Sequence, residues 1–375
     1  MNAYLDNSAT TRPCEQALTK AVHIASVCYG NPSSFHFLGF EAKKELETAR
    51  KSVADFIGAK PDEIYFTSGG TASNMTAILG TAAAKKREGK KIITSRIEHP
   101  SVIKNFELLG EQGFTTVFLE PDRNGKINLD SIYNAVDANT ILVSLMAVNN
   151  EVGSIQDFDK VKQVIKAKRS TALYHCDAVQ AFGKIKMNPA KSGIDLMSMS
   201  AHKIHGLKGS GALYVNQNVR IKPAIVGGGQ ESGLVSGTEA MPALCAFGEA
   251  VKSIGSVKEN FNKVKSLRDG LLEKLSDLDY VYINSPEDAL PYILNISVKG
   301  VPSQVMLNSL SSEGICVSAG SACSKGHRSG VLSAMNIEPT RIDSAIRVSL
   351  SKYTGENELN MLFDALVKTA CRIRR

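Results

Sequence analysis

From about residue 39 to 225 the chain alternates between stretches with helical apolar spacing and short continuous apolar runs. Residues 40–57 read as an amphipathic helix that stops at Gly58. Residues 63–67 read as a strand, 71–84 as a helix and 91–94 as a strand. A further helix opens at Pro100, a favoured first-turn residue. More strands follow at 116–119, 141–146, 173–176, 196–199 and 212–215. This alternation predicts an α/β fold, with a mainly parallel seven-stranded sheet between helices. Ligands of such sheets sit beyond the carboxyl ends of the strands. The glycine-rich break Gly227-Gly228-Gly229 closes this region, and a long helical stretch runs on from about Met241. Strands near Val281 and at 293–298, then a terminal helix from Gly355, predict a smaller α/β domain.

Composition narrows the class. At 375 residues the chain suits two domains, and 43% hydrophobic with 22% charged residues is the balance of a soluble globular protein. No apolar run approaches the ~20 residues of a membrane span. Asp6-Asn7-Ser8 comes too early for a signal peptide. Seven cysteines, an odd number without paired spacing, predict a reducing compartment, most simply the cytoplasm. The net charge of +7 is spread over many helices, with no tryptophan and no basic stripe interleaved with aromatics, so a solvated surface is expected rather than direct nucleic-acid binding. Arg372-Ile373-Arg374-Arg375 is either a frayed tail or a docking patch for an acidic partner.

Several residues stand where chemistry is expected. Lys203, in Ser200-Ala201-His202-Lys203, follows an apolar run that reads as a buried strand. A lysine there either snorkels to solvent or is a desolvated amine able to form a Schiff base. Asp177 ends another strand, and a lysine with an aspartate able to hold a pyridinium nitrogen is the pair pyridoxal phosphate requires. Ser68-Gly69-Gly70-Thr71-Ala72 joins a strand to a helix and reads either as a threonine-capped helix start or as a phosphate cradle. His99 is either a hydrogen-bonded loop residue or an acid–base group, and Val148-Asn149-Asn150-Glu151 is at minimum a turn. Arg347, between Ile346 and Val348, is a surface residue of an edge strand or a carboxylate fork. Cys323 lies in a small, polar, glycine-bearing stretch suited to a mobile nucleophile, whereas Cys14, Cys28, Cys176, Cys245, Cys316 and Cys371 read as packing residues. No cysteine–histidine spacing suggests an intrinsic metal.

Asp177-Ala178-Val179-Gln180, residues 200–206 and Ser318-Ala319-Gly320-Ser321-Ala322-Cys323 resemble the signature segments of cysteine desulfurases, pyridoxal-phosphate enzymes of the class V aminotransferase family. The similarity runs from residues 4–11 to 347–350. It implies the PLP-transferase type I fold, with a large domain at 13–258 and a small one formed by 1–12 and 259–375. It further implies that Lys203 carries the cofactor, that Asp177 holds its ring nitrogen, and that His99 stacks on the ring and moves protons. Gly70, Thr71, Ser200 and His202 would take the phosphate, Gln180 the phenolic oxygen, and Asn150 would stand near the cofactor and the substrate carboxylate. Thr238 would reach the phosphate of a second subunit, implying a homodimer; the alternative is that it caps a helix beginning near Glu239. Arg347 would clamp the carboxylate of L-cysteine. Cys323 would take its sulfur as a persulfide for an acceptor such as an iron–sulfur scaffold, and would serve at most as a transient cluster ligand with that partner. The long-loop, cluster-assembly type is implied. Val235 replaces a usual arginine, Leu207 a usual proline, and the stretch after Cys323 is about two residues short. Another class V enzyme, a selenocysteine lyase or an aminotransferase, is the alternative, and a non-enzymatic scaffold with this fold is a second.

Overall fold

Two long-range stitches join the first residues to the last strand. The Leu5 carbonyl accepts from the Ser349 N–H at 2.7 Å, and the Asn7 N–H donates to the Ser349 carbonyl at 3.2 Å. They belong to a computed structural model that describes residues 2–319 and 328–373. In chain order the strands are β1 (Ala3–Tyr4), β2 (Ile64–Thr67), β3 (Lys91–Ser95), β4 (Thr115–Leu119), β5 (Thr140–Met146) and β6 (Leu173–Asp177), followed by β7 (Leu196–Ser200), β8 (Gly211–Val215), β9 (Val281–Ile283), β10 (Ile293–Val298), β11 (Ile315–Cys316) and β12 (Ala345–Ser349).

The main sheet has the order β2-β8-β7-β6-β5-β3-β4, and β8 runs opposite to the other six strands. Every residue of β5, β6, β7 and β8 is buried, because helices cover both faces. On one face α3 (Gly70–Lys85) and α4 (Pro100–Glu111) bury Ala77, Ile78, Val102 and Phe106. On the other, α1 (Glu15–Ser26) and α2 (Phe37–Ile57) pack with the helix Met241–Lys252. Gly248 makes that packing close: a Cβ there would lie 2.6 Å from Ala49 Cα. A three-stranded sheet, β12-β10-β9, and the parallel pair β1-β11 form the second region. Among the described residues no helix is long and apolar enough to cross a membrane.

Element bounds shift from expectation for local reasons. α2 begins at Phe37, not at 40, because the His36 side chain accepts from the Gly39 N–H and starts the helix early. The stretch after Met241 is two helices, Met241–Lys252 and Val257–Ser276, the second opened by the Ser256 side chain bonding the Glu259 N–H. Thr71 does not cap α3; Gly69 occupies that position and offers no side chain.

Candidate active site

β6 and β7 run side by side and parallel, so their carboxyl ends, Asp177 and Ser200, open onto the same edge of the sheet. Lys203 follows in a short turn after β7, where its Nζ donates to the Ser8 carbonyl at 2.5 Å and the Ala9 carbonyl at 2.7 Å. Burial lowers its pKa to about 8; the Arg347 guanidinium pushes the same way, against Asp6 and Asp177. Asp177 is buried, with Oδ2 accepting from Asn74 Nδ2 at 2.7 Å and Oδ1 from the Val179 N–H at 2.9 Å. His99 stands just before α4, where its Nδ1 accepts from the Ser101 N–H at 3.1 Å. That acceptance leaves the proton of the neutral ring on Nε2. Desolvation lowers the His99 pKa, Asp177 opposes it and Lys203 adds to it, so the three groups share one electrostatic environment.

Beside them lies a cradle for an anion. The α3 N-terminus has no side-chain cap, so its first N–H groups remain available. A Cβ on Gly70 would lie 2.7 Å from Val179 Cγ2 and 3.6 Å from Ser200 Cβ, so helix start, β6 end and β7 end converge there. Ser200 Oγ is buried without a hydrogen-bond partner. His202 is neutral, its pKa lowered to about 4 by burial and then by Lys203, and its Nδ1 lies 3.2 Å from Thr10 Oγ1. An orphaned hydroxyl, an uncapped helix start, a lysine of lowered pKa and a buried carboxylate together fit pyridoxal phosphate. Gln180 fits as well: Lys184 Nζ, at 2.9 Å from Oε1, fixes the amide so that Nε2 donates, here to the Ser8 carbonyl at 3.0 Å.

Arg347 is not a surface residue of an edge strand. It lies on β12 with a side chain only 4% exposed, 3.0 Å from Asp6 Oδ1, and it donates to the Asn150 carbonyl at 2.9 Å. The structure thus joins Arg347, Asn150 and, through charge, Lys203. Thr238 is exposed, and it does not cap the next helix, which starts at Met241 after Ala240 with no side-chain cap. Cys323 lies outside the described residues. Its flanks are anchored at the site: Ser318 pairs through its backbone with Arg347, and Ser329 Oγ donates to Glu151 Oε2 at 2.5 Å. Cys316 and Cys371 are exposed rather than packed in the core. Val235 bridges Ile225, and Val235 and Leu207 both pack against apolar clusters, so these departures serve packing here.

Several residues here carried no sequence signal strong enough to single them out. Asn74 lies one helical turn into α3 and braces Asp177; a polar residue on a buried helical face was the available clue. Lys184 follows Gln180 by four positions, and burial, with Lys203 and Arg347 nearby, lowers its pKa to about 7. Glu98 is buried, accepting on Oε1 from the Ser95 hydroxyl at 2.6 Å and from the Met146 N–H at 3.0 Å.

Comparison with known proteins agrees with this geometry. Residues 3–362 match the family described as aminotransferase class-V. A protein named cysteine desulfurase IscS from Dictyoglomus turgidum is 38% identical over 376 residues, covering 99% of this chain and 95% of the relative. Cysteine desulfurase 2 of Trichormus variabilis is 38% identical over 375 residues, covering 99% and 94%. A solved structure titled NIFS-like protein superposes with a TM-score of 0.94 at 36% identity and covers 100% of both chains. With a family match across nearly the whole length and a site assembled at the strand ends, the chain belongs to the class V aminotransferase family.

Proposed function

We propose that this chain is a pyridoxal-phosphate-dependent cysteine desulfurase, converting L-cysteine to L-alanine and leaving the sulfur as a persulfide on Cys323. The observation that carries this reading is the convergence of Lys203, Asp177 and His99 at the carboxyl ends of the main sheet, with Arg347 of β12 buried close by, in a chain whose full-length relatives bear that name. Pyridoxal phosphate, when bound, acts as an electron sink for the substrate carbon. Lys203 would hold it covalently, Asp177 its ring nitrogen, Gln180 and Asn150 the ring oxygen side, and Gly70, Thr71, Ser200 and His202 the phosphate. Once the substrate amine displaces it from the cofactor, the freed Lys203 Nζ, with a pKa near 8, would take the Cα proton of the substrate without a large penalty for being neutral. Arg347 binds the substrate carboxylate beside Asn150, with Asp6 keeping the guanidinium in place. The Cys323 thiolate then attacks the substrate sulfur. An S–S bond forms, the Cβ–S bond breaks with its electron pair left on carbon, and that carbon takes a proton. His99 Nε2 carries the proton suited to that transfer. One thiol and one cysteine enter; one persulfide and one alanine leave.

The larger domain is 13–258, and 1–12 with 259–375 form the smaller one. A homodimer, with Thr238 completing the phosphate site of the second copy, accounts for an exposed Thr238 with no capping role. The exposed Tyr29, Phe35, Phe37 and Phe40 supply apolar surface for such an interface. The persulfide goes to an acceptor protein such as an iron–sulfur scaffold, in the cytoplasm.

The test supplies L-cysteine to the cofactor-loaded chain, measures alanine, and maps persulfide by mass spectrometry. Alanine with a persulfide on Cys323, both lost in Cys323→Ser, is the expected result. Undiminished alanine and free sulfide from Cys323→Ser would make the chain a lyase instead.

A further inference from the structure

At the end of α1, outside the active site, three side chains with metal-ligating atoms meet. His23 lies in the last turn of α1, Cys28 two residues beyond that helix, and Glu45 on α2. One ligand atom from each lies within 4.8 Å of the other two. We propose that His23, Cys28 and Glu45 form a binding site for a borderline-soft divalent cation of the zinc type, with water as a fourth ligand.

The donor set selects the ion class. One thiolate, one imidazole and one carboxylate suit zinc, whereas magnesium and calcium prefer oxygen alone. The spacing fits as well. Zinc–sulfur and zinc–nitrogen bonds of about 2.3 and 2.0 Å at a tetrahedral angle separate the two donors by about 3.5 Å. Cys28 Sγ and His23 Nε2 lie 3.5 Å apart.

The backbone prepares this approach, since the N–H groups of Val27 and Cys28 both donate to the His23 carbonyl, at 2.8 and 3.3 Å, and fold the chain back over the helix end. Lys20 Nζ holds Glu45 Oε2 at 2.6 Å, orienting the carboxylate from outside the donor set. Access is open: His23 is exposed while Cys28 is 7% exposed, so an ion can enter from solvent and still be shielded on the sulfur side. Burial and the carboxylates of Glu45 and Glu41 raise the Cys28 pKa against Lys20, so metal entry displaces one thiol proton to solvent. Bound, the ion ties the end of α1 to α2 across the connection that carries the exposed Tyr29 and Phe35. Linear spacing hides the set, because its third member comes from another helix seventeen positions on.

The experiment equilibrates the full cofactor-loaded chain, in a Cys323→Ser background that removes the loop thiol, with Zn²⁺ alone, dialyses it, and counts retained metal. The parent should keep one zinc per chain more than Cys28→Ala or His23→Ala, and zinc should raise its melting temperature but not theirs. His23 is exposed, so its variant folds even if Cys28→Ala does not. Co²⁺ in place of zinc should give the visible bands of a tetrahedral thiolate site in the parent alone. Equal metal in parent and His23→Ala, or none in the parent, would overturn the site and leave the 3.5 Å contact as an S–H···N hydrogen bond.

Discussion

Glu98 offers a stability experiment whose sign and size follow from its surroundings. The carboxyl is buried beside the site, one position before His99. Burial pushes its pKa up to about 8 from 4.5; the Ser95 and Met146 bonds pull it down, and Asp177 pushes it further up. In the unfolded chain it ionises at the ordinary value, while in the folded chain it keeps its proton until about pH 8. Between those values the folded state binds a proton that the unfolded state has released, so stability falls as pH rises. That contribution is fully present below 4.5 and is gone above about 8. A tenfold difference in proton affinity between the two states is worth about 1.4 kcal/mol, so moving from pH 5 to pH 8 removes roughly 3–4 kcal/mol. Glu98→Gln keeps an oxygen for both Oε1 bonds and places an uncharged amide where Oε2 has no partner. The variant should therefore match the parent to within about 1 kcal/mol at pH 5 and exceed it by about 3–4 kcal/mol at pH 8. Urea midpoints of both proteins at the two pH values measure the gap. Parallel pH profiles for parent and variant would refute the reasoning, because a neutral partner cannot change a difference that Glu98 ionisation did not create.

Three further outcomes are expected. Lys203→Ala should abolish covalent attachment of pyridoxal phosphate and all alanine formation; a reducible cofactor linkage that survives in the variant would remove Lys203 from its role. Arg347→Ala should leave cofactor content unchanged and lower kcat/KM for cysteine about 10- to 150-fold, the worth of a charge-assisted bond of about 1.5–3 kcal/mol, and a change under about threefold would leave Arg347 a structural role through Asp6 and Asn150. Thr238→Ala should weaken cofactor retention by about 0.5–3 kcal/mol without lowering the melting temperature of the cofactor-free chain, and a monomer by light scattering with full cofactor occupancy would sink the shared-site reading.

How much of this was legible in the sequence depends on range. The strands β5 to β8 are mainly apolar runs because both sheet faces are covered, so they read almost residue for residue. Helix starts read less well: α2 opens on a histidine cap, and α3 opens on a bare glycine, which excludes the threonine-capped start of the two readings. In the site, Lys203 and Asp177 were visible because charge at the end of an apolar run needs a cause. Their supports were not. Asn74 braces Asp177 from 103 positions away, and Asp6 holds Arg347 across 341. Such pairs are made by strand order, which local periodicity does not encode. The exposed Cys316 sits in a two-residue strand too short for alternation to reveal which way it faces.

The stitching of residues 5–11 also sets an order of events during synthesis. The Ser8 N–H bonds Ser349 Oγ from 341 positions away, and Leu5 and Asn7 close onto the same residue. At about 5–20 residues per second, the ribosome takes roughly 17–70 s to deliver that partner. Until then the Ser8 and Ala9 carbonyls, which receive Lys203 Nζ, belong to a segment without its final anchor. The main sheet, complete by Val215, can fold long before. The lysine therefore acquires its finished surroundings only after Ser349 has been made, and a nascent chain stalled before Ser349 should hold a folded sheet but retain cofactor poorly.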